Sequence, residues 1–151
     1  MIEKIVSGGQ TGVDRAALDV AIECGIACGG WCPRGRKAED GPIDTRYPLE
    51  ETASGSYVER TEWNVRDSDA TLILARVPVE GGTALTERLA RKARKPLLVL
   101  DPWSRDTDAL VSWLEEGRYE TLNVAGPRES RSPGVYEAAL AFLRKALTPG
   151  G

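Results

Sequence analysis

Residues 5–12, Ile5-Val6-Ser7-Gly8-Gly9-Gln10-Thr11-Gly12, run straight into Val13-Asp14-Arg15-Ala16-Ala17-Leu18-Asp19-Val20-Ala21-Ile22. An apolar strand enters a glycine-rich bend, and the bend opens a helix whose apolar residues recur at helical spacing. The first amides of a helix have no internal partner and carry the positive end of its dipole. Glycine lets a ligand approach the backbone closely. Gly8, Gly9, Gln10, Thr11 and Gly12 therefore read as a cradle for phosphate or another anion. Bulk at Gly9 or Gly12 is expected to block the anion and spare the fold. The pattern is neither the Rossmann G-x-G-x-x-G nor the P-loop, since no Gly-Lys-Ser/Thr follows. A tight turn without a ligand is the alternative.

Outward from this unit the alternation continues. The first strand covers 2–7 and the first helix about 12–24, with Ala17, Leu18, Ala21 and Ile22 inward and Gly25 as its stop. A strand follows over 26–31. Residues 32–56 are rich in Gly, Pro and charge, long for a structureless loop and so expected to be functional. Then come a short helix near 57–68, a strand at 70–75 and a helix from Gly81 to about Arg94. A strand at 96–100, a helix over 105–116 ending at Gly117, a strand at 121–125 and a last helix through Leu147 complete the chain. This predicts a doubly wound, mostly parallel sheet of about five strands with helices on both faces. The whole reads as one Rossmann-like ligand-binding domain over 1–148 with a disordered tail at 149–151.

Composition narrows the function. The chain has 151 residues, 41% of them apolar, and a formal net charge of −3 with no basic stripe. Nucleic acid is therefore not an expected partner. No apolar run approaches membrane-spanning length, and the N-terminus lacks a signal-peptide layout, so a cytoplasmic protein is expected. Histidine is absent, which removes the usual general base and metal ligand. Cys24, Cys28 and Cys32 fall on a helix end, a strand and a loop. They read as reduced thiols, and no metal site is expected.

Ligands in such sheets bind beyond the carboxyl ends of the strands. The glycine-rich polar segments gather there. Gly81, Gly82 and Thr83 open a helix and suit a second anion, with Thr83 as its cap. Arg60, Thr61 and Asn64 share one face of the short helix. Arg60 suits a phosphate, and Asn64 the edge of a base or pterin. Gly126, Pro127 and Arg128 end the last strand, with Ser130 or Ser132 as a helix cap. Trp31 and Pro33, followed by Arg34, bring an aromatic ring to the site edge; Trp63, Trp103 and Trp113 read as packing. Asp14 repels an anion unless it exchanges hydrogen bonds with Thr11 or accepts them from a sugar hydroxyl or pterin amino group.

These stretches together resemble the putative molybdenum carrier family: Ser7–Asp19, Gly29–Arg36, Glu39–Gly41, Arg60–Val65, Ser68–Thr71, Gly81–Thr83 and Asn123–Arg128. That family is similar in fold to molybdenum-cofactor carriers and to the lysine-decarboxylase-like, or LOG, phosphoribohydrolases. The resemblance implies a Rossmann-like fold. It implies a role in binding, storing or delivering a pterin-based molybdenum cofactor, with molybdoenzymes as recipients and a homo-oligomeric assembly. The hydrolases carry Pro-Gly-Gly-x-Gly-Thr-x-x-Glu. Here Val79-Glu80-Gly81-Gly82-Thr83-Ala84-Leu85-Thr86-Glu87 lacks the proline and one glycine. Thr86 stands where the catalytic Glu belongs, and Glu87 is about 100° further round the helix. Arg60 fits the hydrolase's catalytic Arg. The expectation is therefore a carrier of a phosphorylated pterin or nucleotide. A nucleoside-monophosphate phosphoribohydrolase using Arg60 and Glu87, or a nucleotide sensor without catalysis, is the alternative.

Overall fold

A computed structural model describes residues 2–148; the expected tail at 149–151 lies outside them. The elements in chain order are β1 (Lys4–Val6), α1 (Val13–Cys24), β2 (Ala27–Gly29), β3 (Trp31–Cys32), β4 (Glu50–Glu51) and α2 (Tyr57–Arg66). There follow β5 (Ala70–Leu74), α3 (Gly81–Lys92), β6 (Leu97–Leu100), α4 (Asp108–Gly117), β7 (Thr121–Ala125) and α5 (Val135–Leu147). The expected doubly wound α/β architecture is present. Five strands form one parallel sheet in the order β2-β1-β7-β5-β6, and β3 pairs with β4 as a small parallel ribbon.

The last strand of the chain thus sits in the middle of the sheet. Counting strands from β7 instead of β1 turns the order into 3-2-1-4-5, the usual doubly wound order. In that count α5 is the crossover after the first strand and leads to β1. The sequence pattern identifies strands but carries no mark of this rearrangement.

Strand β5 is buried along its whole length, as a strand covered on both faces must be. Ala70, Leu72 and Leu74 join Ile5, Leu122 and Val124 in the main core under α1 and α5. By alternation Thr71, Ile73 and Asn123 face the other layer, where α2 packs on α3. Helix α1 ends where expected: Gly25 takes the left-handed conformation at φ 68, and its amide closes on Ala21 and Ile22.

Three expectations are corrected. Ile22, expected inward on α1, is 49% exposed. The second strand does not run unbroken over 26–31. Gly30, at φ 127, packs so tightly that a Cβ there would lie 2.4 Å from the Ser7 carbonyl oxygen, and the chain turns out of the sheet into β3. Cys32 is accordingly a buried strand residue, not part of a loop. Nor is the 32–56 stretch structureless. It contains β4 and a satellite core in which Ile43, Tyr47 and Leu49 pack on Leu18 and Cys32. Arg36 organises it by donating to the carbonyls of Ile43, Asp44, Tyr47 and Leu49 at 2.8–3.2 Å.

Candidate functional site

The carboxyl ends of β1, β5 and β7 open onto a cavity of about 360 Å³. It lies where the strand order reverses, the place where doubly wound sheets bind ligands, and its volume suits a small molecule. The bend after β1 contributes Gly8, Gln10 and Asp14. Helix α2 contributes Tyr57, Arg60, Thr61 and Asn64, and the start of α3 contributes Gly81, Gly82, Thr83 and Thr86. Asn123 and the turn after β7 (Gly126, Pro127, Arg128) form another wall, and Arg76, Glu80 and Arg131 complete the lining. Gly9, Thr11, Gly12, Trp31, Pro33, Arg34 and Glu87 do not line it.

The two glycine-rich bends differ. After β1 most amides are already taken. Gly9 donates to Ser7 Oγ at 3.2 Å, Gln10 to Asp14 Oδ2 at 3.3 Å, Thr11 to Gln10 Oε1 at 3.0 Å and Val13 to the Pro127 carbonyl at 3.3 Å. Glycine is needed there because the chain packs on itself. A Cβ at Gly12 would lie 2.3 Å from the Pro127 oxygen, and one at Gly9 would lie 2.5 Å from Leu49. The expected Thr11–Asp14 exchange is absent: Thr11 Oγ1 donates to Glu39 and accepts from the Glu129 amide. At α3 the bend is open. Gly81 and Gly82 are exposed, a Cβ at Gly82 would meet nothing within 4 Å, and neither amide donates a hydrogen bond among the described residues. Glu80 holds the cap position, so Thr83 is not the cap but lies inside the first turn, buried.

Four arginines reach this cavity, in different states of engagement. Arg60 donates from Nη1 to the Gly8 carbonyl at 2.8 Å, lies over the Tyr57 ring and sits 3.8 Å from Asp14 Oδ2. Arg128 is paired with Glu39 at 3.5 Å. Arg76 stacks on Trp103 and lies 3.7 Å from Asp101. Arg131 makes no ion pair among the described residues, and its guanidinium lies 3.5 Å from where a Gly81 Cβ would stand. Arg76 and Arg131 escaped the sequence reading. The signal was their position, each within a few residues of the carboxyl end of a central strand.

Asp14 is buried, and burial pushes its carboxyl up to about 6, against the pull of Arg60, the Gln10 amide and Arg15. The absence of histidine therefore does not leave the cavity without a group that titrates near neutrality. Asn64 lines the cavity, but its amide is spent on the Trp31 backbone, accepting from N at 2.8 Å and donating to O at 3.0 Å. Thr61 Oγ1 is committed to the Tyr57 carbonyl. Trp31 packs edge-on against Trp63 and donates its indole N–H to Asp67. Neither serine caps α5: the Glu129 carboxylate takes the amides of Gly134 and Tyr136 at 2.6 and 3.0 Å. Glu87 pairs with Arg91 at 3.6 Å, and Thr86 stands at the cavity in its place. Among the described residues no group of His, Cys, Asp or Glu is arranged to hold a metal ion, and no helix is long and apolar enough to cross a membrane.

No curated protein matches the chain. It is similar to a crystal structure described as that of a putative molybdenum carrier protein from Syntrophus aciditrophicus SB. The identity is 44% over 97% of this chain and 95% of that one, with a TM-score of 0.91. The model of the circularly permutated YpsA SLOG family matches residues 5–147. A sheet that regains the usual strand order only when counted from its last strand is what such a permutation produces, and the chain belongs to that family.

Proposed function

We propose that the protein binds a phosphorylated pterin or nucleotide in this cavity and carries it unchanged, with the molybdenum cofactor as the preferred cargo. The observation that carries the reading is the joint placement of the free Arg131 guanidinium and the open Gly81 and Gly82 amides at one end of the cavity. A helix N-terminus beside an unpaired arginine is a site for a phosphate dianion. The likeness to a molybdenum carrier supports the choice of cargo. The proposed grip is on the phosphate and the ring of the cargo. Delivery to molybdoenzymes, a cytoplasmic location and a homo-oligomeric state belong to the same proposal.

Arg131→Ala tests it. Calorimetry with a phosphorylated pterin or nucleoside monophosphate should show a loss of roughly 1.5–3 kcal/mol, the range for a hydrogen bond to a charged group. Undiminished affinity would remove Arg131 from the site. Hydrolysis is the second reading, favoured by one observation: Asp14, titrating near neutrality, lies beside Arg60 in the cavity. It predicts release of free base from a nucleoside monophosphate. Against it, the only acid on the cavity side of α3 is Glu80, at the rim, while Glu87 points its charge at Arg91.

A further inference from the structure

The cavity holds polar atoms that the fold leaves without partners. Asp14 is 6% exposed; its Oδ2 accepts from the Gln10 amide at 3.3 Å, whereas Oδ1 accepts no hydrogen bond among the described residues. Gln10, also 6% exposed, has its carbonyl oxygen fixed by the amides of Thr11 and Glu39 at 3.0 and 2.9 Å, which leaves Nε2 as an unused donor. Asn123, 3% exposed, spends only Nδ2, on Thr71. Buried polar groups are nearly always paired, and an unpaired one in a native fold calls for a reason. Among the described residues the only fully occluded side-chain oxygen or nitrogen without a partner is Glu59 Oε1. The free atoms of Asp14, Gln10 and Asn123 are thus not sealed from solvent, and their residues line the cavity.

We infer that Asp14 is a specificity-determining residue: its free Oδ1 accepts a hydrogen bond from the uncharged part of a phosphorylated ligand, a sugar hydroxyl or a ring N–H. The inference rests on the reading that the cavity holds such a ligand. The charge pattern explains why a carboxylate stands in a site lined by Arg60, Arg76, Arg128 and Arg131. An ionised Asp14 repels a bare anion. Only a ligand that brings a donor offsets that repulsion, so the residue discriminates against sulfate, a dianion with no O–H or N–H to donate. The charged groups around Asp14 are Arg60 on α2 and Arg15 on α1, with Glu80 at the α3 rim of the cavity.

The test compares sulfate, ribose 5-phosphate and a phosphorylated pterin on the wild-type protein and on Asp14→Asn. Asparagine is isosteric. Its oxygen is drawn to the Gln10 amide, so an N–H faces the cavity where an acceptor stood. The expected result is at least a tenfold loss for one of the two organic phosphates, with sulfate unchanged or tighter. The arm that loses identifies the donor as a hydroxyl or a ring N–H. A constant ratio of organic phosphate to sulfate affinity in both proteins overturns the role of Asp14 while leaving the phosphate site standing. Failure of all three to bind the wild type overturns the cavity reading itself. Carboxyl NMR of the wild type gives an independent readout. A donor lowers the pH at which Asp14 titrates, and sulfate raises it; equal shifts with all probes would contradict the inference.

Discussion

Replacing Asp14 by asparagine should change how stability depends on pH, by an amount set by its surroundings. In the unfolded chain the carboxyl titrates at 3.8; in the fold burial moves it to about 6. Between those values the folded protein holds a proton that the unfolded chain has released. Stability contributed by the protonated group is fully present below about pH 4 and is lost as pH rises through 6. The move from 3.8 to about 6 corresponds to about 3 kcal/mol, a large share of the 5–15 kcal/mol typical of a domain. Asp14→Asn removes that loss. Urea unfolding of both proteins should therefore show the variant gaining on the wild type by up to about 3 kcal/mol between pH 4 and pH 7.5. Groups elsewhere titrate alike in both proteins and cancel in the difference. A difference that stays flat across this window, or runs the other way, would refute the claim that the Asp14 carboxylate is costly in the fold.

Other outcomes follow from single contacts. Gly12→Ala combines φ 81 with a Cβ at 2.3 Å from the Pro127 oxygen, so it should destabilise by about 2–4 kcal/mol in denaturant titrations, from backbone strain and the displaced loop; this differs from the selective loss of anion binding expected from sequence. Glu39→Gln weakens the tie from the 33–49 segment to Thr11, Ser130 and Arg128. Amide exchange in that segment should quicken, and the freed Arg128 should raise affinity for phosphate. Glu87→Gln should leave ligand binding unchanged by calorimetry, since its one ion pair is with Arg91 on the surface of α3. Light scattering should report a mass above the 16.4 kDa of the chain. Helix α4 is the proposed contact, through half-buried Val111 and Leu114.

The helices and strands were legible because periodicity and punctuation are local. Gly25 ends α1, Thr121–Ala125 is strand to the residue, and Gly81 starts a helix as its spacing requires. Strand order was not legible, because nothing local in residues 121–125 says that they insert between β1 and β5. The segments that meet at the cavity were mostly identified, while the state of each side chain was not. Asn64 and Arg60 look equally available in sequence, and both line the cavity, yet the Asn64 amide is spent on Trp31 while Arg60, anchored on the Gly8 carbonyl, lies beside Asp14. The glycines at 9 and 12 signal close approach correctly, but the approaching atoms are Leu49 and Pro127. Arg76 and Arg131 carry no motif; only the fold brings them together.

Native mass spectrometry of the protein purified from a host that makes molybdenum cofactor tests the carrier reading most directly. The 16.4 kDa chain should retain a phosphorylated pterin or nucleotide, intact on repeated measurement and lost from the Arg131→Ala variant. A bare chain that also fails to take up either ligand when it is added, or one that converts a nucleoside monophosphate to free base, would contradict it.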